Sequence, residues 1–125
     1  MTSTTTDSTT AGTAASPRTT ADAFVSTYDE VTRVRIEDPG RFARLAATRR
    51  RRTVADTDGT MMIIAADHPA RGALGVGSRD QAMASRTELL DRMREALAVP
   101  GVDGVLGTAD ILEDLLVMGD RKSVV

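Results

Sequence analysis

The stretch TMMIIAADH, residues 60–68, decides the fold class of this chain. Its apolar part is uninterrupted, which is typical of a strand buried on both faces of a parallel sheet. A capping-box pattern at Ser78–Gln81 and an apolar stripe through Leu90 and Leu97 predict a helix over residues 79–98. A second strand over 102–107 and a helix over 109–118 follow. The order strand, helix, strand, helix predicts an α/β fold with a parallel, adjacent pair of strands over 60–66 and 102–107.

Polar residues follow both predicted strands. Asp67 and His68 end the first strand, and Gly107 and Thr108 end the second. Ligands of parallel α/β folds bind at the carboxyl edge of the strands. We therefore predict Asp67 and His68 as catalytic residues and Gly107 and Thr108 as substrate-binding residues. The competing interpretation is that Asp67 caps a loop and His68 is a surface histidine.

The segment before this unit is predicted to be mainly helical over residues 20–52. Thr20 is a candidate N-cap of the first helix, and Asp38 and Pro39 suit the start of a second. Residues 33–52 carry eight arginines and two acidic residues, and the run Arg49–Arg52 suits a helix C-terminus. The segment could contact phosphates or an acidic partner. Groups that read or stack on bases are absent nearby, so a solvated helix end is the favoured interpretation.

Two further patterns have competing interpretations. The glycines of residues 72–77 could cradle a phosphate with backbone amides, but the spacing matches no standard phosphate-binding motif, so a plain loop is favoured. Three acidic residues in the last helix are interpreted as partners of the helix dipole. They are Asp110, Glu113 and Asp114.

Composition excludes several classes of site. The chain has 125 residues, no cysteine and one histidine, which excludes disulfides, thiolate metal sites and an all-histidine metal site. Sixteen basic and eighteen acidic residues leave a net charge of −2, so we expect no nucleic acid and no membrane as partner. Residues 1–19 are rich in Ser and Thr and are predicted to be a disordered tail. Without a secretory signal or a bilayer-length apolar run, the chain is expected to be cytoplasmic.

The residues around the first strand, MIIAADHPARGALG from 62 to 75, resemble the first strand of class I aldolases with a (β/α)8 barrel. The group includes archaeal-type fructose-bisphosphate aldolase and deoxyribose-phosphate aldolase. The stretch VPGVDGVLGT, residues 99–108, is similar to an actinobacterial aldolase-like family of this kind. The resemblance covers residues 20–119. It implies a truncated TIM barrel, made of the first two βα units with an N-terminal helical extension.

The resemblance also implies a function. It suggests the N-terminal fragment of a Schiff-base carbon–carbon lyase that acts on a sugar phosphate or related carbohydrate. In such enzymes the residue matching Asp67 lies beside the catalytic lysine, and His68 matches the adjacent histidine. That lysine lies on a later strand that this chain does not reach, and Lys122 cannot replace it. The fragment is therefore expected to be inactive. The parent would need no cofactor and would form a homo-oligomer.

Residues 120–125 break the arginine-only composition and match what one frame of a sequencing adapter encodes, so they are predicted to be a non-native tail. Two other functions stay open. One is a non-catalytic α/β module that binds a phosphorylated metabolite or a protein. The other is a basic interaction module that uses residues 33–52.

Overall fold

The computed structural model describes residues 24–49, 51–120 and 123–124. Four α-helices and a three-stranded parallel sheet form this part of the chain. The helices are α1 (Tyr28–Glu37), α2 (Gly40–Thr48), α3 (Arg86–Ala98) and α4 (Ala109–Val117), and the strands are β1 (Ile63–Ala65), β2 (Gly104–Leu106) and β3 (Ser123–Val124). Short 3-10 helices span Val54–Asp56 and His68–Arg71. The predicted tail over residues 1–19 lies outside the described residues.

The two N-terminal helices start at local signals other than those predicted. A capping box begins α1, in which the Glu30 amide donates to Thr27 Oγ1 and the Thr27 amide donates to Glu30 Oε2. The predicted cap, Thr20, lies outside the described residues. Helix α2 begins at Gly40 without a side-chain cap. The expected capping residue, Asp38, instead pairs with Arg44 at 2.6 Å.

The sheet confirms the predicted parallel pair. Ile63 lies opposite Gly104 and Ala65 opposite Leu106. The regular part of each strand is only three residues long, shorter than the predicted 60–66 and 102–107. Strand β3 joins the far side of β2 in parallel, so part of the segment 120–125 takes part in the sheet.

Helix α3 begins seven residues later than predicted, and the capping box expected at Ser78–Gln81 does not form. Val76 and Arg79 exchange backbone hydrogen bonds of 2.9 and 3.1 Å, which holds this segment in a turn. The Met83 amide also donates to the Leu74 carbonyl. These bonds compete with helical ones, and the helix starts only where Ser85 Oγ accepts from the Glu88 amide.

The apolar core lies between the helices and one face of the sheet. Helices α2 and α4 pack on each other, and α4 also contacts α1 and α3. Val105 is fully buried on the core face, opposite Ile64. Side chains alternate along a strand, so Ala65 and Leu106 lie on the other face, where Leu106 is 39% exposed.

The truncated TIM barrel implied by the resemblance is wrong. The described residues form a small α/β domain with very short strands and one core, and most of that core comes from the helices. Helices α1 and α2 pack on α4 and belong to this core, so they are part of the domain rather than an extension beside a barrel.

Candidate functional site

A pocket of about 270 Å³ opens at the carboxyl edge of β1 and β2. The parallel register puts the ends of both strands at this edge, as the sequence predicts. The floor is apolar, and the polar side is formed by Thr108 and the pair Arg86 and Asp110. The lining consists of Ala66, Pro69, Ala70, Met83, Ala84, Arg86, Leu89, Thr108, Asp110 and Ile111. We call this the strand-edge pocket.

Asp67 and His68 lie at the rim of the strand-edge pocket, because the residues on either side of them, Ala66 and Pro69, line it. The Asp67 side chain is 29% exposed and lies 3.3 Å from Arg71 Nη2. Asp67 Oδ1 is 3.8 Å from His68 Nδ1, which is too long for a hydrogen bond. That nitrogen is buried and makes no hydrogen bond. The two residues predicted to be catalytic thus lie next to each other without a hydrogen bond between their side chains.

Of the two predicted substrate-binding residues, Thr108 lines the strand-edge pocket and Gly107 does not. Gly107 has a packing role, because a Cβ at this position would lie 3.3 Å from Leu112 Cδ2. This close approach sets the first turn of α4 against the strand end. Thr108 is the N-cap residue of α4, with extended backbone angles. The structure therefore brings the Thr108 side chain to the same edge as Asp67, as predicted.

Asp110 is the acidic residue of the pocket wall. Its carboxylate pairs with Arg86 Nη1. A hydrogen bond from the Thr108 side chain, and then the bond from Arg86, lower the pKa of Asp110 to about 2. The carboxylate is therefore ionised at any physiological pH, and it presents hydrogen-bond acceptors to the pocket.

A buried carboxylate below the pocket holds Arg86 in place. The Asp114 side chain is 0% exposed and accepts four hydrogen bonds from two arginines. Arg86 Nε and Nη2 reach Asp114 Oδ2 at 2.9 and 2.6 Å. Arg35 Nε and Nη2 reach Asp114 Oδ1 at 3.2 and 2.5 Å. We call this set of three residues the arginine clamp.

Sequence reasoning missed the arginine clamp. It interpreted Asp114 as a dipole partner in α4 and did not single out Arg86. Asp114 directly precedes the apolar run LLVM, residues 115–118, and this position in the sequence was the available signal. An aspartate inside such a run needs a cationic partner, but the sequence does not say which of fifteen arginines supplies it.

Several arginines of the predicted basic segment are engaged within the fold. Arg35 belongs to the arginine clamp, and Arg52 Nη1 pairs with Asp103 Oδ1 at 2.7 Å. Arg41 is buried in the first turn of α2. Helix α2 ends at Thr48, so Arg49, Arg51 and Arg52 follow the helix rather than closing it. Arg33 and Arg51 are exposed, so the interaction module over residues 33–52 stays a hypothesis.

Part of the glycine-rich loop is held by backbone hydrogen bonds, which leaves fewer amides for a phosphate. The amides of Val76 and Arg79 donate to each other's carbonyls, and the Ala73 amide donates to the His68 carbonyl. Amides that already bond to the backbone cannot turn to an anion. The interpretation of residues 72–77 as a plain loop fits these bonds.

Neither a metal site nor a membrane span is found in the residues that the structure describes. Within 24–49, 51–120 and 123–124, groups of three or more potential metal ligands do not occur. In the same residues, the helices are too short and too polar to cross a bilayer. The single lysine, Lys122, lies outside this part of the chain.

Comparison with known proteins identifies relatives without a stated function. The family model of the Cgl0159-like proteins matches residues 59–125. The crystal structure of Cgl0159 from Corynebacterium glutamicum superposes with a TM-score of 0.71 at 50% sequence identity. The match covers 78% of this chain and 34% of Cgl0159, so this chain spans about a third of that protein's length. The curated proteins contain no match.

These findings correct the family prediction. Both matches point to Cgl0159 and neither to an aldolase, so the similarity at residues 62–75 and 99–108 does not make this chain an aldolase relative. The lyase reaction inferred from that similarity loses its basis. Polar residues at the carboxyl ends of parallel strands occur in many α/β proteins, because ligands bind there, so they do not identify a family. The chain belongs to the Cgl0159-like family.

Proposed function

We propose that this chain binds a small, hydroxylated metabolite of the carbohydrate class in the strand-edge pocket. One observation carries the proposal. The Thr108 hydroxyl and the ionised Asp110 carboxylate line the same pocket, at the carboxyl edge of two parallel strands. Ligands of parallel α/β proteins bind at this edge.

The size and the lining of the pocket support this ligand class. A volume of about 270 Å³ is just below the range of roughly 300–1,000 Å³ usual for drug-sized ligands, which favours a small metabolite. Sugar hydroxyls donate to carboxylate oxygens and also accept from a threonine hydroxyl. The C–H groups of the same ligand would pack on the apolar floor formed by Ala66, Ala70 and Leu89.

Asp67 at the rim adds carboxylate acceptors of the same kind. Within the described part of the chain it is bound only by the exposed Arg71, whose Nη2 lies 3.3 Å from both carboxylate oxygens, so Asp67 retains capacity to accept from a ligand hydroxyl. His68 Nδ1 is buried, so it is not counted among the groups that contact the ligand. We assign ligand binding to Asp67, and a catalytic role for Asp67 and His68 stays a prediction.

The test is calorimetric titration of the full chain with glycerol, erythritol, ribose and glucose. We expect one-to-one binding of at least one of them, with a dissociation constant of about 1 mM, or about −4 kcal/mol. Thr108→Val keeps the branched shape and removes the hydroxyl, and Asp67→Asn removes the charge. Each should weaken binding by roughly 3- to 10-fold, the scale of one hydrogen bond.

Asp91→Asn is the matched control, because Asp91 is an exposed carboxylate on α3 that does not line the strand-edge pocket. Its dissociation constant should stay within about twofold of the wild-type value, since a surface charge contributes little. Absence of binding by all four compounds would refute the proposal. Unchanged affinity in both Thr108→Val and Asp67→Asn would refute the site.

A further inference from the structure

The pocket wall contains an arginine whose three guanidinium nitrogens each already bind a carboxylate. Arg86 Nε and Nη2 are held by Asp114, which is fully buried and therefore fixed. Of the two terminal nitrogens, this leaves Nη1 for a partner in the pocket, and Asp110 binds it. An incoming anion would compete with Asp110 for this nitrogen.

The charges around the arginine favour the carboxylate over an incoming anion. The network contains two cations, Arg35 and Arg86, and three anions. Those anions are Asp110, Glu113 and Asp114. The net charge is therefore −1, and a phosphate group would meet repulsion as well as competition.

We infer that Asp110 is the specificity-determining residue of the strand-edge pocket. Its carboxylate excludes phosphorylated and other anionic ligands and admits uncharged hydroxylated ones. This inference rests on the proposed function and names the ligand subclass. Asp110 binds the one terminal nitrogen of Arg86 that Asp114 does not bind, and its hydrogen bond with Thr108 holds it there. Exclusion by an unfavourable charge is a known route to specificity.

Substitution of Asp110 should therefore create an anion site. In Asp110→Asn the network loses one negative charge, its net charge becomes zero, and Arg86 Nη1 faces only a neutral amide. The probe is inorganic phosphate, followed through backbone amide chemical shifts of Thr108 and Ile111 in the full chain. We expect saturable binding to Asp110→Asn at least tenfold tighter than to the wild type.

Two control variants separate this effect from a change of net charge or a loss of fold. Asp110→Glu keeps the carboxylate and should exclude phosphate as the wild type does. Asp91→Asn removes a surface carboxylate elsewhere and should also behave as the wild type. A dispersed amide spectrum of Asp110→Asn shows that it folds, and if it does not, Asp110→Ser provides the same charge change.

Equal phosphate affinity in the wild type and in folded Asp110→Asn would overturn the inference, whether or not the uncharged compounds bind. Phosphate binding that appears only in Asp110→Asn or Asp110→Ser supports it. If that gain appears while glycerol, erythritol, ribose and glucose all fail to bind the wild type, the proposed function fails and the anion-excluding role of Asp110 stands.

Discussion

Asp67 and Asp114 are the same residue type in very different surroundings. Asp67 ends a strand, is 29% exposed and has one arginine contact at 3.3 Å, made by a neighbour four residues away. Asp114 lies in α4, is 0% exposed and is held by Arg35 and Arg86, which come from α1 and α3. The sequence singles out the first and passes over the second.

The difference shows which roles an acidic residue can take in one small domain. Asp114 joins three helices and cannot reach a ligand, so its contribution is to the free energy of unfolding and to the position of Arg86. Asp67 joins nothing distant, so its loss should be tolerated by the fold and felt only in binding. Each prediction below tests one side of this contrast.

The largest effect is expected from Asp114→Asn. The neutral amide can accept on one side only, and its NH2 group would face an arginine, so two guanidinium groups lose their buried partner. We expect a loss of about 3 kcal/mol in the free energy of unfolding, the low end for a broken buried pair because both arginines are partly exposed. Urea unfolding followed by circular dichroism measures this loss.

Asp67→Asn is the matched substitution, and it should change the free energy of unfolding by less than about 0.5 kcal/mol. Equal losses of unfolding free energy in Asp114→Asn and Asp67→Asn would contradict the different roles assigned to the two residues.

A smaller effect is expected from Arg35→Gln. Asp114 then keeps only the two bonds from Arg86, and the cation above the Phe42 ring, 4.5 Å from its centroid, is lost as well. We expect a loss of roughly 1.5–3 kcal/mol, the value of hydrogen bonds to a charged group. Arg71→Gln removes the exposed arginine beside Asp67 and should cost less than about 0.5 kcal/mol. Thermal unfolding of the two variants measures these losses. A larger decrease in melting temperature for Arg71→Gln than for Arg35→Gln would contradict the account.

The smallest effect concerns acid stability through Asp110. The folded-state pKa of about 2 lies below the unfolded value of 3.8. The ionised form therefore stabilises the fold above pH 3.8, and this contribution is lost as the pH falls through 3.8 towards about 2. The stability difference between the wild type and Asp110→Asn should shrink over that interval. The hydrogen bonds that lower the pKa of Glu30 and Asp38 act in both proteins and cancel. A difference that is constant with pH would show that Asp110 gains nothing from Thr108 and Arg86.

Local patterns in the sequence predict the α/β order, the parallel pairing of the two strands and the edge where Asp67 and Thr108 meet. An apolar run and a strand-end polar residue carry that information within a few residues. The predicted start of α3 was wrong, because the hydrogen bond from the Met83 amide to the Leu74 carbonyl competes with the first turns of the predicted helix. Tertiary contacts of this kind override a local capping signal.

The arginine clamp could not be predicted for a related reason. Arg35 and Asp114 are 79 residues apart in the chain. Opposite charges at such a distance have no spacing rule, unlike pairs three or four residues apart on a helix. The resemblance to aldolases rested on two short segments that any parallel sheet could contain. Segments of that kind locate a sheet edge but do not identify a family.

The central claim is that the strand-edge pocket recognises an uncharged hydroxylated ligand. The most direct test is an amide chemical-shift map of the full chain, titrated with whichever of glycerol, erythritol, ribose and glucose binds most tightly in the calorimetric test. The account predicts saturable shifts that cluster at Ala66, Ala70, Thr108 and Ile111 and that weaken in Thr108→Val. Shifts that spread over the surface, or that centre on α2 at residues 40–48, would contradict it.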